Sequence, residues 1–240
     1  MKLAVISTTT YSSPPLHYGG EIFFWNLARG LCELGHEVTL YAAPGSKPPH
    51  ADCRCSLKYI PGTYGDMDQS RDWMLVDWYF DEIRAHDFII AADHMHCVAE
   101  EIGWYYPEDQ FRTLVVLNGV TANHPRCGLY NVVVGSQKWK ELLLMGRTQF
   151  YGTAMSQKYG STLLEAVSDH AVVGVVPWRI DTEFYTPGDT VEDYLLWLSR
   201  PTDYKGLDDA LEVAARLKLK LLVAPGLGNP SHEKELASYQ

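Results

Sequence analysis

The chain has 240 residues, 46% of them hydrophobic, and a formal net charge of −10, a balance that supports a sizeable core and excludes a general nucleic-acid binder, which needs a basic face. Its five cysteines, Cys32, Cys53, Cys55, Cys97 and Cys127, are an odd number in a chain too large for a disulfide scaffold and are expected as free thiols of a cytoplasmic protein. No apolar run reaches the roughly 18–20 residues of a membrane span, and Met1–Ser7 has a strand pattern rather than that of a signal peptide.

In chain order, Lys2–Ser7 is a short apolar strand, followed by a polar loop from Thr8 to Tyr18. Glu21–Leu34 repeats its apolar residues at helical spacing, and Gly35 ends the helix. Glu37–Ala42 is the next strand, so the chain opens with a βαβ unit, and Pro44–Pro49 is a proline-rich loop. Cys53-Arg54-Cys55 lacks the two-residue gap of a zinc knuckle. Leu57–Ile60 reads as a weak strand, Ser70–Arg84 as a helix, Phe88–Ala92 as a buried strand and His96–Trp104 as a helix. Thr113–Leu117 and Asn131–Val134 are strands, Gln137–Met145 and Gln157–Val167 helices, and Val172–Val176 a strand. Strands alternating with helices mean a parallel sheet covered on both faces, so residues 1–176 are expected as one Rossmann-like α/β domain. Pro177–Asp189 reads as an interdomain linker. Tyr194–Leu198, Leu207–Lys218 and Leu219–Ala224 start a second βαβ unit, and the amphipathic segment His232–Tyr239 closes the chain. Residues 190–240 are fewer than the roughly 100 of a complete Rossmann-like domain, so a partial second domain is expected.

The chemistry-bearing residues cluster at the ends of these strands. Arg200 follows the strand that begins at Tyr194, and Lys205 precedes Gly206 and a helix start. Two cations beside free helix N–H groups make a receptor for a diphosphate. Gly19-Gly20 brings backbone close to a ligand without a Cβ in the way, in a pattern that is not the dinucleotide fingerprint. Asp93-His94-Met95-His96 and Asn118-Gly119 each follow an expected strand, the position where α/β sheets bind ligands. Ser136 and Ser156 are read as helix N-caps, and there is no G-x-S-x-G elbow for a hydrolase triad.

Four segments together resemble the retaining glycosyltransferases of the GT-B fold, the large group called family 4. They are Arg200 with Lys205-Gly206, similar to G-R-x-x-x-x-K-G; Pro177 to Gly188, similar to P-N-G-[IV]-D-x-x-x-F-x-P; Tyr18-Gly19-Gly20 after the first strand; and Leu34-Gly35-His36-Glu37-Val38, similar to the run that leads into the second strand. The resemblance implies a nucleotide-sugar donor whose diphosphate is held by Arg200, Lys205, Gly19 and Gly20. It also implies a histidine facing the transferred sugar, His94 or in the other register His96, and Asn118 near the sugar or acceptor. The acceptor, a sugar, lipid or other small molecule, would sit on residues 1–176. The leaving diphosphate would itself deprotonate the acceptor, and no metal or other cofactor is expected because two cations replace it. The family's second domain continues to an acidic E-x-x-x-x-x-x-x-E stretch past the length of this chain. The alternative is therefore a non-catalytic GT-B-like module, or one completed by self-association or by a partner chain; a nucleotide-sugar epimerase of the same fold is a third.

Overall fold

A computed structural model describes residues 1–14, 19–49, 55–60, 70–92, 98, 101–102, 105–117, 131–144, 172–178, 188, 190, 192–199, 201, 205–225 and 237. The chain divides into two compact units, one of Met1–Pro15 with Gly19–Arg179, the other of Leu16–Tyr18 with Ile180–Gln240.

The first unit is built on seven parallel strands: β1 (Lys2–Ile6), β2 (Glu37–Tyr41), β3 (Cys55–Lys58), β4 (Phe88–Ala92), β5 (Thr113–Leu117), β6 (Val132–Val134) and β7 (Val172–Val175). Their order across the sheet is β3-β2-β1-β4-β5-β6-β7, with Leu3 in register with both Val38 and Phe88. The chain thus builds outward from β1 in one direction, then returns to its other side with β4. This is the doubly wound, Rossmann-like arrangement, and the carboxyl ends of β1 and β4 are its topological switch point. The central strands are continuous apolar runs because both faces are covered: Ala4, Val5 and Ile6 are fully enclosed, as are Val38, Leu40 and Tyr41.

Helix α1 (Gly19–Glu33) lays Phe24, Ala28 and Cys32 into the core on an i, i+4, i+8 stripe. It ends in a Schellman motif: Gly35 takes φ +89°, its N–H donates to the Cys32 carbonyl at 2.8 Å, and the His36 N–H donates to the Leu31 carbonyl at 3.1 Å. Helix α2 (Ser70–Arg84) contributes Leu75, Val76 and Ile83 to the same core. A 3-10 helix, Pro107–Arg112, precedes β5, and α3 (Gln137–Leu144) follows β6. The Ser136 carbonyl accepts the first bond of α3, from the Lys140 N–H at 3.2 Å, so Ser136 holds the N-cap position expected of it. Trp178 brings the end of this unit back onto α1, its ring edge-on to Phe23 at 4.6 Å, and occupies the space where a side chain on Gly135 would lie.

The second unit shows β8 (Tyr194–Ser199), α4 (Leu207–Leu217) and β9 (Lys220–Pro225), a βαβ unit with β8 and β9 parallel from Tyr194↔Lys220 to Ser199↔Pro225. Gly206 precedes α4 at φ +66°, the left-handed region that favours glycine.

Where sequence and structure differ, local chemistry explains the difference. The weak strand expected at Leu57–Ile60 is Cys55–Lys58, two residues earlier. Ser56 sets that register: its hydroxyl donates to Thr39 Oγ1 at 2.9 Å, a partner periodicity does not reveal. Helix α1 starts at Gly19, so Gly19 and Gly20 are its first residues rather than a loop before it. Gln157–Val167 lies outside the described residues, as does His232–Tyr239 apart from residue 237.

Candidate functional site

The carboxyl ends of the parallel strands are where an α/β sheet presents ligand-binding groups, and β1 ends in an enclosed hydroxyl-rich turn. Ser7, Thr8, Thr9 and Ser13 are each no more than 5% exposed. Thr8 Oγ1 donates at 2.6 Å to Glu21 Oε1, and Glu21 is itself buried in the first turn of α1. The turn is fastened to the segment after β2. The Ser13 N–H donates to Ser46 Oγ at 2.8 Å, the Lys47 N–H to the Ser13 carbonyl at 2.6 Å, and Trp25 Nε1 to the Lys47 carbonyl at 3.0 Å. Gly19 opens the helix beside this turn, and a Cβ built on it would meet no atom within 4 Å. None of the described residues therefore requires glycine there. The open space is compatible with a ligand approaching the backbone.

In the second unit, Lys205 lies between β8 and α4, next to Gly206. Trp197 is 7% exposed and its Nε1 donates to the Lys205 carbonyl at 3.0 Å, so a buried ring fixes the backbone that carries the exposed Lys205 side chain. Asp208 and Asp209 stand in the first turn of α4, and Asp209 Oδ2 would lie 3.3 Å from a Cβ on Gly206. These carboxylates offset the partial positive charge of the helix end, leaving fixed cations to supply attraction for an anion. Arg200, His94, His96 and Asn118 lie outside the described residues. Among the expected site residues, Lys205, Gly19 and Gly20 are described, and they belong to different units.

The most elaborate polar network lies at the other end of the first sheet. Asp109 receives Arg84 Nε at 2.9 Å and Arg112 Nε at 3.0 Å. Arg112 also donates Nη2 to the Arg84 carbonyl at 2.8 Å and Nη1 to the His86 carbonyl, capping the C-terminus of α2. The Arg84 guanidinium lies 3.3 Å from the centre of the Tyr106 ring. Burial would push the Asp109 carboxyl up, but hydrogen bonds from Arg84 and Arg112 prevail and hold it below the usual carboxylate range. The cluster ties residues before β4 and β5 together at their amino ends, far from where ligands of such sheets bind, and its role is structural. Sequence reasoning missed it because Arg84 and Asp109 are separated by 25 residues and the 3-10 helix has no periodic signature. Tyr41, fully enclosed, has its phenol pushed up by burial and then by the Glu82 carboxylate, to which its hydroxyl donates at 3.2 Å. Glu82 pairs in turn with Lys58 at 3.3 Å.

Among the described residues no group of three or more His, Cys, Asp or Glu side chains could hold a metal ion. No helix among them is long and apolar enough to cross a membrane. No protein-family model matches the chain, and no curated protein is significantly similar to it.

Proposed function

We propose that the protein is a retaining glycosyltransferase of the GT-B type that takes a nucleotide-sugar donor and transfers its sugar to a small acceptor. One observation carries the reading. Lys205 stands exposed with its carbonyl held by Trp197, between a parallel strand and a helix start, in the sequence order Arg200, Lys205, Gly206. The doubly wound sheet of the first unit supports it, since that fold binds ligands at strand ends. In this reading Arg200 and Lys205 neutralise the diphosphate as it leaves, and His94 or His96 faces the sugar. The protein's contribution is positioning and charge stabilisation rather than a carboxylate nucleophile.

A second reading keeps the binding and drops the transfer. Leu196 and Leu198 on β8 are 58% and 73% exposed, which leaves one face of the β8–β9 pair open. Parallel sheets are normally covered on both faces, so this unit reads as a donor-side module completed by further polypeptide. Incubating the chain with uridine, guanosine and adenosine diphosphate hexoses separates the readings. Transfer or hydrolysis that releases the nucleoside diphosphate and an α-configured product from an α-donor supports the transferase. Binding of a donor without release supports the module, and failure to engage any of the three contradicts both.

A further inference from the structure

Helix α2 packs Leu75, Val76 and Ile83 into the core and leaves large apolar side chains on its other face. Met74 is 50% and Trp78 65% exposed, four residues apart and so one turn apart on a single stripe. The helix already has the buried face that holds it to the sheet, so this stripe adds nothing to the core. It does not end at Trp78. The indole borders an open hollow of about 520 Å³ that Phe80 also lines. The Phe80 ring meets that of Tyr106 at 5.5 Å, and Tyr105, the next residue in the chain, is 66% exposed. A run of exposed large apolar side chains with polar groups at its margin is the usual mark of a surface that another molecule covers.

Charge decides what can cover it. Besides the two rings, the hollow is lined by Asp77, Asp81, Glu82 and Glu101. Glu82 is committed to Lys58 at 3.3 Å and to the Tyr41 hydroxyl at 3.2 Å. Asp77 and Asp81 pair with no cation among the described residues. They stand one turn apart, where like charges repel, and a cation from outside relieves that repulsion. Nucleic acid and anionic lipid are excluded by the same sign of charge. A lysine or arginine fits both features, because its head meets a carboxylate while its methylene stem lies along the indole. A small polyamine would satisfy the carboxylates and leave Met74 and Tyr105 bare. A polypeptide segment that mixes basic and apolar residues covers the whole stripe.

We propose that the outer face of α2, from Met74 and Trp78 across Asp77 and Asp81, docks a basic, partly apolar polypeptide segment of another protein. The proposal does not depend on the transferase reading. The experiment uses the full chain and a fluorescent peptide of about 15 residues, built from lysine and leucine at helical spacing. Anisotropy gives its affinity, and oligolysine of the same length and spermine serve as competitors. The mixed peptide binds in the micromolar range in about 0.15 M salt, and each competitor is at least roughly tenfold weaker because neither covers the apolar stripe. Trp78→Ala weakens the peptide roughly tenfold. The double change Asp77→Asn with Asp81→Asn weakens it by a similar factor and flattens its salt dependence. Asp193→Asn, which removes an exposed charge from the second unit, leaves binding unchanged. All four positions are exposed, so the variants keep the wild-type melting temperature. A melting temperature lowered by Trp78→Ala would make the ring part of the fold and overturn the proposal. Peptide binding that survives both α2 variants, or that Asp193→Asn weakens equally, overturns it too, since attraction would then be to net charge alone. Spermine competing as well as the mixed peptide would make the hollow a small-cation site instead. Sedimentation of the chain alone covers the last occupant: a dimer that Trp78→Ala dissociates would put a second copy on this face and contradict a foreign partner.

Discussion

Asp109 carries the clearest pH dependence of any single residue described. Its folded carboxyl titrates below the unfolded one, so its stabilisation is complete above the unfolded value of about 4 and is lost as pH falls through the folded value. Asp109→Asn leaves Arg112 and Arg84 without their shared anion and should cost about 3 kcal/mol at neutral pH. The difference from wild type should shrink progressively below about pH 4, where the wild-type carboxyl also protonates. Urea melts of both proteins from pH 7 down to 3 read this directly; a constant difference across the range would show that the ion pairs are not its source. Gly19 makes the converse case. A methyl there meets no neighbour, so Gly19→Ala should leave the melting temperature unchanged or raise it slightly, yet weaken ligands that approach the start of α1. A substantial loss of stability would place its constraint in the fold instead. These two residues also mark what a sequence discloses at this scale. Gly19 stands out because glycine pairs after a first strand have a backbone meaning. The Arg84–Asp109 pair is invisible, because its charges meet across 25 residues of folded chain, although Asp109 and Arg112 are neighbours at i, i+3. Glu21 was in view as a helix residue, but its burial beside Thr8 emerges only from the three-dimensional arrangement.

At the scale of elements, strands buried on both faces were legible because they are unbroken apolar runs. Phe88–Ala92 and Thr113–Leu117 coincide with β4 and β5 to the residue. Edges were less so. The short β3 pairs with β2 alone, and the Ser56–Thr39 hydrogen bond rather than hydrophobic periodicity sets its register. Lys205 and Gly206, just before α4, are the residues on which the functional reading depends. Gly206 holds φ +66° there, so Gly206→Ala should destabilise the second unit by about 1 kcal/mol through backbone strain and disturb the neighbouring Lys205. Hydrogen exchange of the β8 and α4 amides would show faster opening in that unit with β1–β7 unaffected. Equal acceleration in both units would mean that they unfold together.

For the whole molecule, the seven-stranded parallel sheet and a second βαβ unit were anticipated from alternating strand and helix patterns, because each βαβ step repeats the same physical requirement. The resemblance to GT-B enzymes proposes that the second unit holds the diphosphate of a nucleotide-sugar. Its central claim is the diphosphate receptor at Arg200 and Lys205. Calorimetric titration of the full chain with uridine, guanosine and adenosine diphosphates, repeated with Arg200→Ala and Lys205→Ala, tests that claim most directly. One diphosphate should bind with an affinity that falls as salt rises, and Arg200→Ala should weaken it by about 1.5–3 kcal/mol. Lys205, being exposed, should contribute at the lower end of that range or below. Binding that survives both substitutions, or the absence of binding by all three diphosphates at millimolar concentration, would contradict the account.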